Sequence, residues 1–470
     1  MLELMPILDN TKNTPLYVQL YEYIKQGIQN ETIKPGMKLP SKRKLANHLG
    51  ISQNTIQTAY EQLCAEGYTE SNPRKGIFVI NMEEDLFHFS TIETKLNKDK
   101  DKDKKKELEY IIDFNSGKID LDYFPYSTWR KLTTQSLFSE NSNLLSLGEP
   151  QGEKHLLEEI SKYLFESRGV HCSADQIVIG AGTQFLLILL CMLIGKDYRY
   201  AIENPGFHRA RNVFKDQGMD IQPISVDKDG ICIEELKKSS ANVVYVTPSH
   251  QFPYGMVMPI SRRMDLLKWC TERDGFIIED DYDSEFRYKG KPIPSLQGLD
   301  IIGNVIYMGT FSKSLIPSIR ISYLVLPLTL MKKYKEHLKV YKQTVSQLHQ
   351  DTLYRFMNEG HWSRHLNKMR TVYRKKHKTL LSAINKYMGQ KVEIIGENSG
   401  LHILLKVKNG MSEKDLITAA LKMKVKVYPT SIYYDKYENN RFPCIMLGFG
   451  GLTEIQIEEG IKILKNAWSI

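Results

Sequence analysis

The sequence predicts an α/β protein of 470 residues in three parts: a small helical head ending in two strands, a charged tether, and a large domain with a smaller C-terminal α/β subdomain. Three observations carry this reading. Between residues 1 and 80, apolar residues recur at helical spacing and are punctuated by Pro and Gly. Residues 81–112 include the run LNKDKDKDKKKELE, which has no apolar face to bury and reads as a flexible charged linker. From 113 to 470, short apolar stretches rich in β-formers alternate with helical segments, the pattern of a mostly parallel sheet covered by helices. A chain of this length exceeds one ordinary core, in keeping with the division.

The head begins at Leu16 to Gln29, where Leu16, Leu20, Ile24 and Ile28 mark one helical face. Pro35, Gly36 and Pro40 interrupt it. Ser41 is placed to cap a second helix with Leu45, Ala46 and Leu49 inward, and Gly50 ends that helix. Ser52 is placed to cap a third, with Ile56, Ala59 and Leu63 toward the core and Gln53, Asn54, Thr55, Gln57 and Thr58 outside. GYTESNPRKGIFVI reads as two short strands joined by a turn at Asn72 to Gly76. This is the order of a winged helix-turn-helix, whose third helix offers a polar face to a DNA major groove. Charge agrees locally: Lys34, Lys38, Lys42, Arg43 and Lys44 precede Tyr60 with no acid between Lys34 and Tyr60. The net charge of +9 is mild for the length and by itself establishes no partner.

The six cysteines are scattered, without a CxxC pair or a tight cluster with histidine, which argues against metal and disulfide sites and fits reduced thiols in the cytoplasm. MLELMPILDN lacks the pattern of a signal peptide. The apolar run FLLILLCMLI, Phe185 to Ile194, is too short to cross a bilayer and reads as a buried core helix.

In the large domain QIVIG, RYAIE, VVYVT, GFIIED, NVIYMG and SYLVLP are the candidate buried strands. A Lys-rich helical stretch from about Leu328 to Met388 then leads to a small subdomain, placed at about 330–470, with GLHILLKV and CIMLGFG as strands. Chemistry gathers at the strand ends. Lys313, in GTFSKSLIPSIRISY, offers an amine directly after an apolar strand, with Thr310, Ser312 and Arg320 nearby for a phosphate. Asp280 and Tyr282 follow GFIIE and can set a carboxylate and a phenol beside a pyridine ring. In GAGTQ, the backbone after Gly182 and the Thr183 hydroxyl can hold a phosphate at a helix N-terminus, with Gln184 next to them. Phe207, after a Pro-Gly turn, can stack on a ring. Together these groups supply what pyridoxal 5'-phosphate requires.

The head, through Pro40, Ser41, Arg43, Leu45, Ala46, Leu49, Gly50, Ser52, Thr55, Glu66, Gly67 and Gly76, resembles the GntR-type winged helix. Through IGAGTQ, ENPGF, TPSHQFPYG, IEDDYDSEFRY and YMGTFSKSL, the remainder resembles a fold-type I, PLP-dependent aminotransferase. The combination resembles the MocR/GabR family of bacterial transcription regulators over nearly the full length. That resemblance implies a Schiff base at Lys313, ring contacts from Asp280 and Tyr282, and phosphate contacts from Gly182, Thr183, Gln184, Thr310, Ser312 and Arg320. It implies operator DNA at Ser41, Arg43, Ser52, Gln53, Asn54, Thr55, Lys75 and Gly76, and a domain-swapped homodimer.

Three departures bear on function. Gln53 stands where the family often has arginine, Phe252 or Gln251 replaces the asparagine of an NPTG turn, and Met446 replaces the arginine that clamps a substrate carboxylate. Arg209 and Arg441 match the positions of ligand-binding arginines in GABA-responsive members. The expectation is a regulator that senses GABA or a similar amino compound by aldimine exchange, without full turnover. The alternatives are a regulator of vitamin B6 synthesis that senses the cofactor itself, and a working aminotransferase with an accessory DNA-binding head.

Overall fold

The computed structural model describes residues 4–6, 8–9, 14–30, 32–80, 110–290, 293–436 and 443–470. The charged tether, apart from residues 110–112, and Arg441 lie outside the described residues. The chain divides into two compact units, Met1–Glu107 and Leu108–Ile470.

In the first unit, α1 (Leu16–Gln29) buries Leu20, Tyr21, Ile24 and Ile28, while Leu16 is only half-buried. This face meets Leu45 and Ala46 of α2 (Lys42–Leu49) and Ile56, Ala59, Tyr60 and Leu63 of α3 (Gln53–Ala65). Two serines start the second and third helices: Ser41 accepts from the Lys44 N–H, and Ser52 accepts from the Thr55 N–H at 3.1 Å. Gly50, at φ 67°, ends α2 in the left-handed conformation that glycine adopts without a Cβ penalty, and so permits the sharp turn into α3. Strands β1 (Thr69–Asn72) and β2 (Gly76–Val79) pair antiparallel from Thr69↔Val79 to Asn72↔Gly76 and form the wing.

The second unit opens with a short strand, β3 (Ile112–Asp113). Its main sheet is built from β4 (Ile177–Ala181), β5 (Arg199–Asn204), β6 (Asp220–Asp227), β7 (Gly230–Ile231), β8 (Val243–Val246), β9 (Phe276–Asp281), β10 (Val305–Thr310) and β11 (Ile321–Val325). The order is β4-β11-β10-β9-β8-β5-β6-β7. Strands β6, β5, β8, β9 and β10 run parallel, and β11 lies antiparallel between β10 and β4. All six stretches read as strands form one. The sequence reading missed β6, where Pro223 and alternating exposure hide a strand that carries only the two-residue β7 on its outer side. The run read as a core helix spans Thr183–Ile194 and buries Leu186, Leu187, Leu189, Leu190, Cys191, Leu193 and Ile194 against the sheet.

The helical stretch read from about 328 to 388 comprises several helices, including Leu328–Lys333, Gln347–Asn358 and His361–Tyr387. Gly360, at φ 72°, separates the last two, a conformation an ordinary helical residue resists. Leu353, Phe356, Trp362 and Leu366 from this stretch pack with the core of the large domain, beyond the expected subdomain start near 330. The small sheet, in the order β12-β13-β16-β15, is antiparallel and uses β12 (Val392–Ile395), β13 (His402–Val407), β15 (Tyr428–Pro429) and β16 (Cys444–Gly448). Ile112, Phe114 and Ile119 join its core, and β14 (Val425–Lys426) pairs with β3. Chain from before the large domain thus completes the small one. Among the described residues no helix is long and apolar enough to cross a membrane.

Candidate functional site

Parallel strands point their carboxyl ends to one edge of the sheet, and the loops leaving that edge are where open α/β folds bind ligands. Asp280 lies in the last residues of β9, Thr310 ends β10 with Lys313 three residues on, and Phe207 follows β5 closely. Gly182 follows β4, which is parallel to these strands because β11 runs against both its neighbours.

Gly182 precedes the helix Thr183–Ile194 at φ 92°, and a Cβ there would come within 2.2 Å of the Arg320 guanidinium. Arg320, itself at φ 55°, donates to the Ala181 carbonyl at 3.1 Å. The pairing Ala181↔Ile321 brings these two chain turns together. On the other side, Ser322 donates to Thr310 Oγ1 at 2.8 Å, and Thr310 Oγ1 lies 3.1 Å from Ser312 Oγ. The first-turn N–H groups at Thr183 and Gln184, the hydroxyls and the guanidinium together make a cradle for a dianion. Glycine is favoured at 182 by its φ of 92°, and a Cβ there would also displace the Arg320 guanidinium from the cradle.

Asp280 is buried at 3% exposure. Tyr245, on the neighbouring β8, donates to its Oδ2, while its Oδ1 is buried with no partner. Burial pushes the carboxyl up to about 7, against the Tyr245 hydrogen bond and reinforced by Asp281 and Asp283. Glu203, at the end of β5, is likewise raised to about 7 by burial; it accepts from the Thr247 hydroxyl at 2.8 Å and keeps Oε1 unpartnered. An orphaned buried oxygen is costly unless something supplies a donor. A ring N–H presented to Asp280 Oδ1 would do so.

Lys313 donates to the Ser116 carbonyl. Burial holds its amine below the ordinary lysine range, opposed by Asp283 and assisted by Arg209. A larger neutral fraction makes the amine a better nucleophile. Tyr282 donates to the His250 carbonyl at 3.0 Å, and His250 Nδ1 stands 2.9 Å from both the Tyr282 oxygen and the Asp283 carboxylate. His250, Asp283, His402, Glu203 and Tyr245 escaped the sequence reading as site residues, and Gln251 entered it only as one of two residues in place of the turn asparagine. The signal for His250 was its place in the loop that leaves β8, four residues past the strand's end, whereas His402 comes from β13 of the small sheet.

The fold does bring His250, Asp283 and His402 within ligating distance of one another, although the sequence shows no such cluster. His250 Nδ1 faces Asp283, and His402 Nε2 donates to the Pro253 carbonyl at 3.1 Å. Through its Nδ1 and its carbonyl, His250 supports Tyr282, while His250 Nε2 is buried without a partner.

Phe207 packs edge-on against Phe252, with ring centroids 5.5 Å apart. Phe252 in turn meets Tyr433 at 4.7 Å, and Met446 is fully buried in the same cluster. An apolar thioether therefore occupies the place expected for a carboxylate clamp. Arg209 is exposed on the first turn of the helix His208–Asp216, yet close enough to Lys313 to lower its basicity.

In the head, Arg43, Gln53, Asn54 and Lys75 are exposed and Thr55 is half-buried. Ser41 and Ser52 use their side-chain oxygens as helix caps. Gly76, at φ 114°, lies where a Cβ would approach the Lys38 side chain at 2.7 Å, so its contribution is to the shape of the wing.

Comparison with known proteins follows the same division. Residues 16–79 match the family of bacterial regulatory proteins of the gntR type, and residues 109–463 match aminotransferase class I and II. The chain is 48% identical to the HTH-type transcriptional regulator YdeL of Bacillus subtilis, over 100% of both chains. It is 31% identical to the probable rhizopine catabolism regulatory protein MocR of Rhizobium meliloti, covering 99% of this chain and 96% of that one. It is 29% identical to the pyridoxine biosynthesis regulator PdxR of Corynebacterium glutamicum, over 86% of each. Among solved structures, a Pyrococcus horikoshii kynurenine aminotransferase in complex with PMP superposes with a TM-score of 0.68 at 25% identity, covering 83% of this chain and 99% of that one.

Proposed function

The chain belongs to the MocR-type GntR regulators, a GntR head joined to an aminotransferase class I and II domain, and we propose that it holds pyridoxal 5'-phosphate at Lys313 to detect a small amino compound and alter its binding of operator DNA. The observation that carries the cofactor reading is the free, buried Oδ1 of Asp280 at the same strand edge as the cradle and the Lys313 amine. When bound, pyridoxal phosphate supplies an aldehyde carbon that can pass from one amine to another. Asp280 would accept the ring N–H, Tyr282 would serve the ring oxygen, and Gly182, Thr183, Gln184, Thr310, Ser312 and Arg320 would hold the phosphate. With the cofactor held there, an incoming amino compound would compete with Lys313 for it, and the Lys313 amine so freed would stand in a desolvated site that resists its charge. Such a local change biases a two-state arrangement if the ligand prefers one state.

Arg209, exposed on the first turn of the helix His208–Asp216, is the proposed partner for the effector's carboxylate, with GABA or a similar amino acid as the first candidate. Met446 in the apolar cluster favours detection over turnover. Homodimer assembly is part of the same reading, in line with the large apolar side chains left exposed on the second unit, among them Leu121, Leu137, Phe138, Leu145 and Leu147. A second reading, favoured by the likeness to PdxR, makes pyridoxal phosphate the signal itself. Arg209→Ala separates the two: it abolishes the response in the first and leaves it intact in the second.

The test is a spectral titration of the purified chain, loaded with pyridoxal phosphate, against GABA and related amines, with DNA affinity followed in parallel. A saturable shift of the visible band with a change in DNA affinity is expected. Absence of any visible band refutes the cofactor, and a shift without a change in DNA affinity refutes the sensing. On the DNA side, Arg43→Ala should weaken binding to all sequences alike and reduce the slope of log K against log salt by about 1, the signature of one phosphate contact. Gln53→Ala should instead change the preference at one base position, by about 1–3 kcal/mol. Uniform weakening by Gln53→Ala would remove it from base readout.

A further inference from the structure

Beside the loop that follows β9, a cavity of about 310 Å³ gathers four guanidinium groups, those of Arg168, Arg263, Arg287 and Arg370. Two of them are matched by carboxylates: Arg168 to Asp281 at 2.7 Å and Arg263 to Glu279 at 3.7 Å. Arg263 also donates to the Met258, Pro248 and Pro294 carbonyls, so its donors are occupied. Arg287 and Arg370 have no ion pair among the described residues. Arg287 uses only Nε, toward the Lys289 carbonyl, and Arg370 uses Nε and Nη1, toward the Glu285 carbonyl and Asn367. Both nitrogens of the Arg287 fork and one of Arg370 therefore lack a protein acceptor among the described residues.

An independent observation points the same way. Ser399 lines the cavity, is 3% exposed, and its Oγ has no hydrogen-bond partner. A buried hydroxyl without a partner beside the open fork of Arg287 and the open Nη2 of Arg370 has the donor set of an oxyanion site. Glu285, the carboxyl that faces the same space, accepts from the Tyr163 hydroxyl at 3.1 Å. Burial, with Asp281 next in effect, raises it to about 7, so at neutral pH it opposes an anion only in part.

We propose that this cavity binds a phosphate-bearing small molecule at Arg287, Arg370 and Ser399, separately from the Lys313 cleft. The two sites share a wall. Ser249 lines the cavity next to His250, and Gly400, which follows Ser399, approaches His250 so closely that a Cβ would stand 1.9 Å from its ring. Occupancy of the cavity therefore acts on the support of Tyr282, which makes its ligand a second input to the same sensor.

The test is thermal melting of the full-length protein with inorganic phosphate as probe, against sodium chloride at matched ionic strength. The expected result is a saturable rise in melting temperature that persists in Arg320→Gln. Apparent affinity should fall roughly tenfold or more in Arg287→Gln and several-fold in Ser399→Ala. A rise no greater than that given by chloride overturns the proposal. So does a response lost in Arg320→Gln but kept in Arg287→Gln, because the ion would then sit in the Thr310 and Ser312 cradle. If Arg287→Gln does not fold, Ser399→Ala decides: unchanged phosphate affinity in that variant also overturns the site.

Discussion

Replacement of Lys313 by alanine will leave a protein that binds DNA but cannot be covalently trapped with pyridoxal phosphate. Borohydride reduction followed by mass measurement should find no cofactor adduct, dialysis should strip the visible absorption, and the DNA-binding response to amines should vanish. No other amine is placed in the cleft by the described residues. The variant should remain folded, because the hydrogen bond to the Ser116 carbonyl is worth about 1 kcal/mol and its loss is offset by removing a desolvated amine. An adduct retained in the variant would put the attachment at a different lysine. A fully retained response to amines would remove Lys313 from detection altogether.

Asp280→Asn should move stability and cofactor affinity in opposite directions. Burial holds the Asp280 carboxyl at about 7 instead of 3.8. Between those values the folded protein binds a proton that the unfolded chain has released. Its contribution to stability is therefore complete below about pH 4 and is lost as pH rises through about 7. Glu203 and Glu285, also raised to about 7, act in the same sense. Asp281, held low chiefly by Arg168 against its burial, acts in the opposite sense, and its stabilisation is lost as pH falls.

Asparagine keeps an oxygen for the Tyr245 hydroxyl and carries no charge, so at pH 8 the cofactor-free variant should be more stable than the parent by on the order of 2–4 kcal/mol. Cofactor affinity should fall about 10- to 100-fold, because a charge-assisted hydrogen bond to the ring nitrogen is lost. Denaturant unfolding across pH 4–8 and cofactor titration measure the two halves. Equal or lower stability of the variant at pH 8 would show that Asp280 is not held as a strained, desolvated acid.

The head was legible in detail because its signals are local. Ser41 and Ser52 cap the helices they precede, and Gly50 takes the left-handed turn its position requires. Six strands of the main sheet were legible for a similar reason, since strands buried on both faces are continuous apolar runs. β6 was not, because an outer strand is half solvated and Pro223 breaks its pattern. The break at Gly360 was also missed: periodicity on either side is helical, and one glycine does not disclose whether it continues or interrupts a helix.

The kinds of chemistry the cleft offers follow from residue order, since Gly182 and Asp280 sit at or just beyond the ends of their apolar runs and Thr310 and Lys313 at the end of a third. Their mutual geometry depends on which strands become neighbours. Tyr245 reaches Asp280 only because β8 pairs with β9, and that pairing leaves one carboxylate oxygen satisfied and the other free. His402 arrives beside His250 from the small sheet, and Ser399 arrives at the arginine cavity from the segment just before it. Burial, hydrogen-bond vacancy and shifted acidity are properties of groups brought together across hundreds of residues. A linear pattern names the residue types but cannot say which of their atoms folding leaves without a partner.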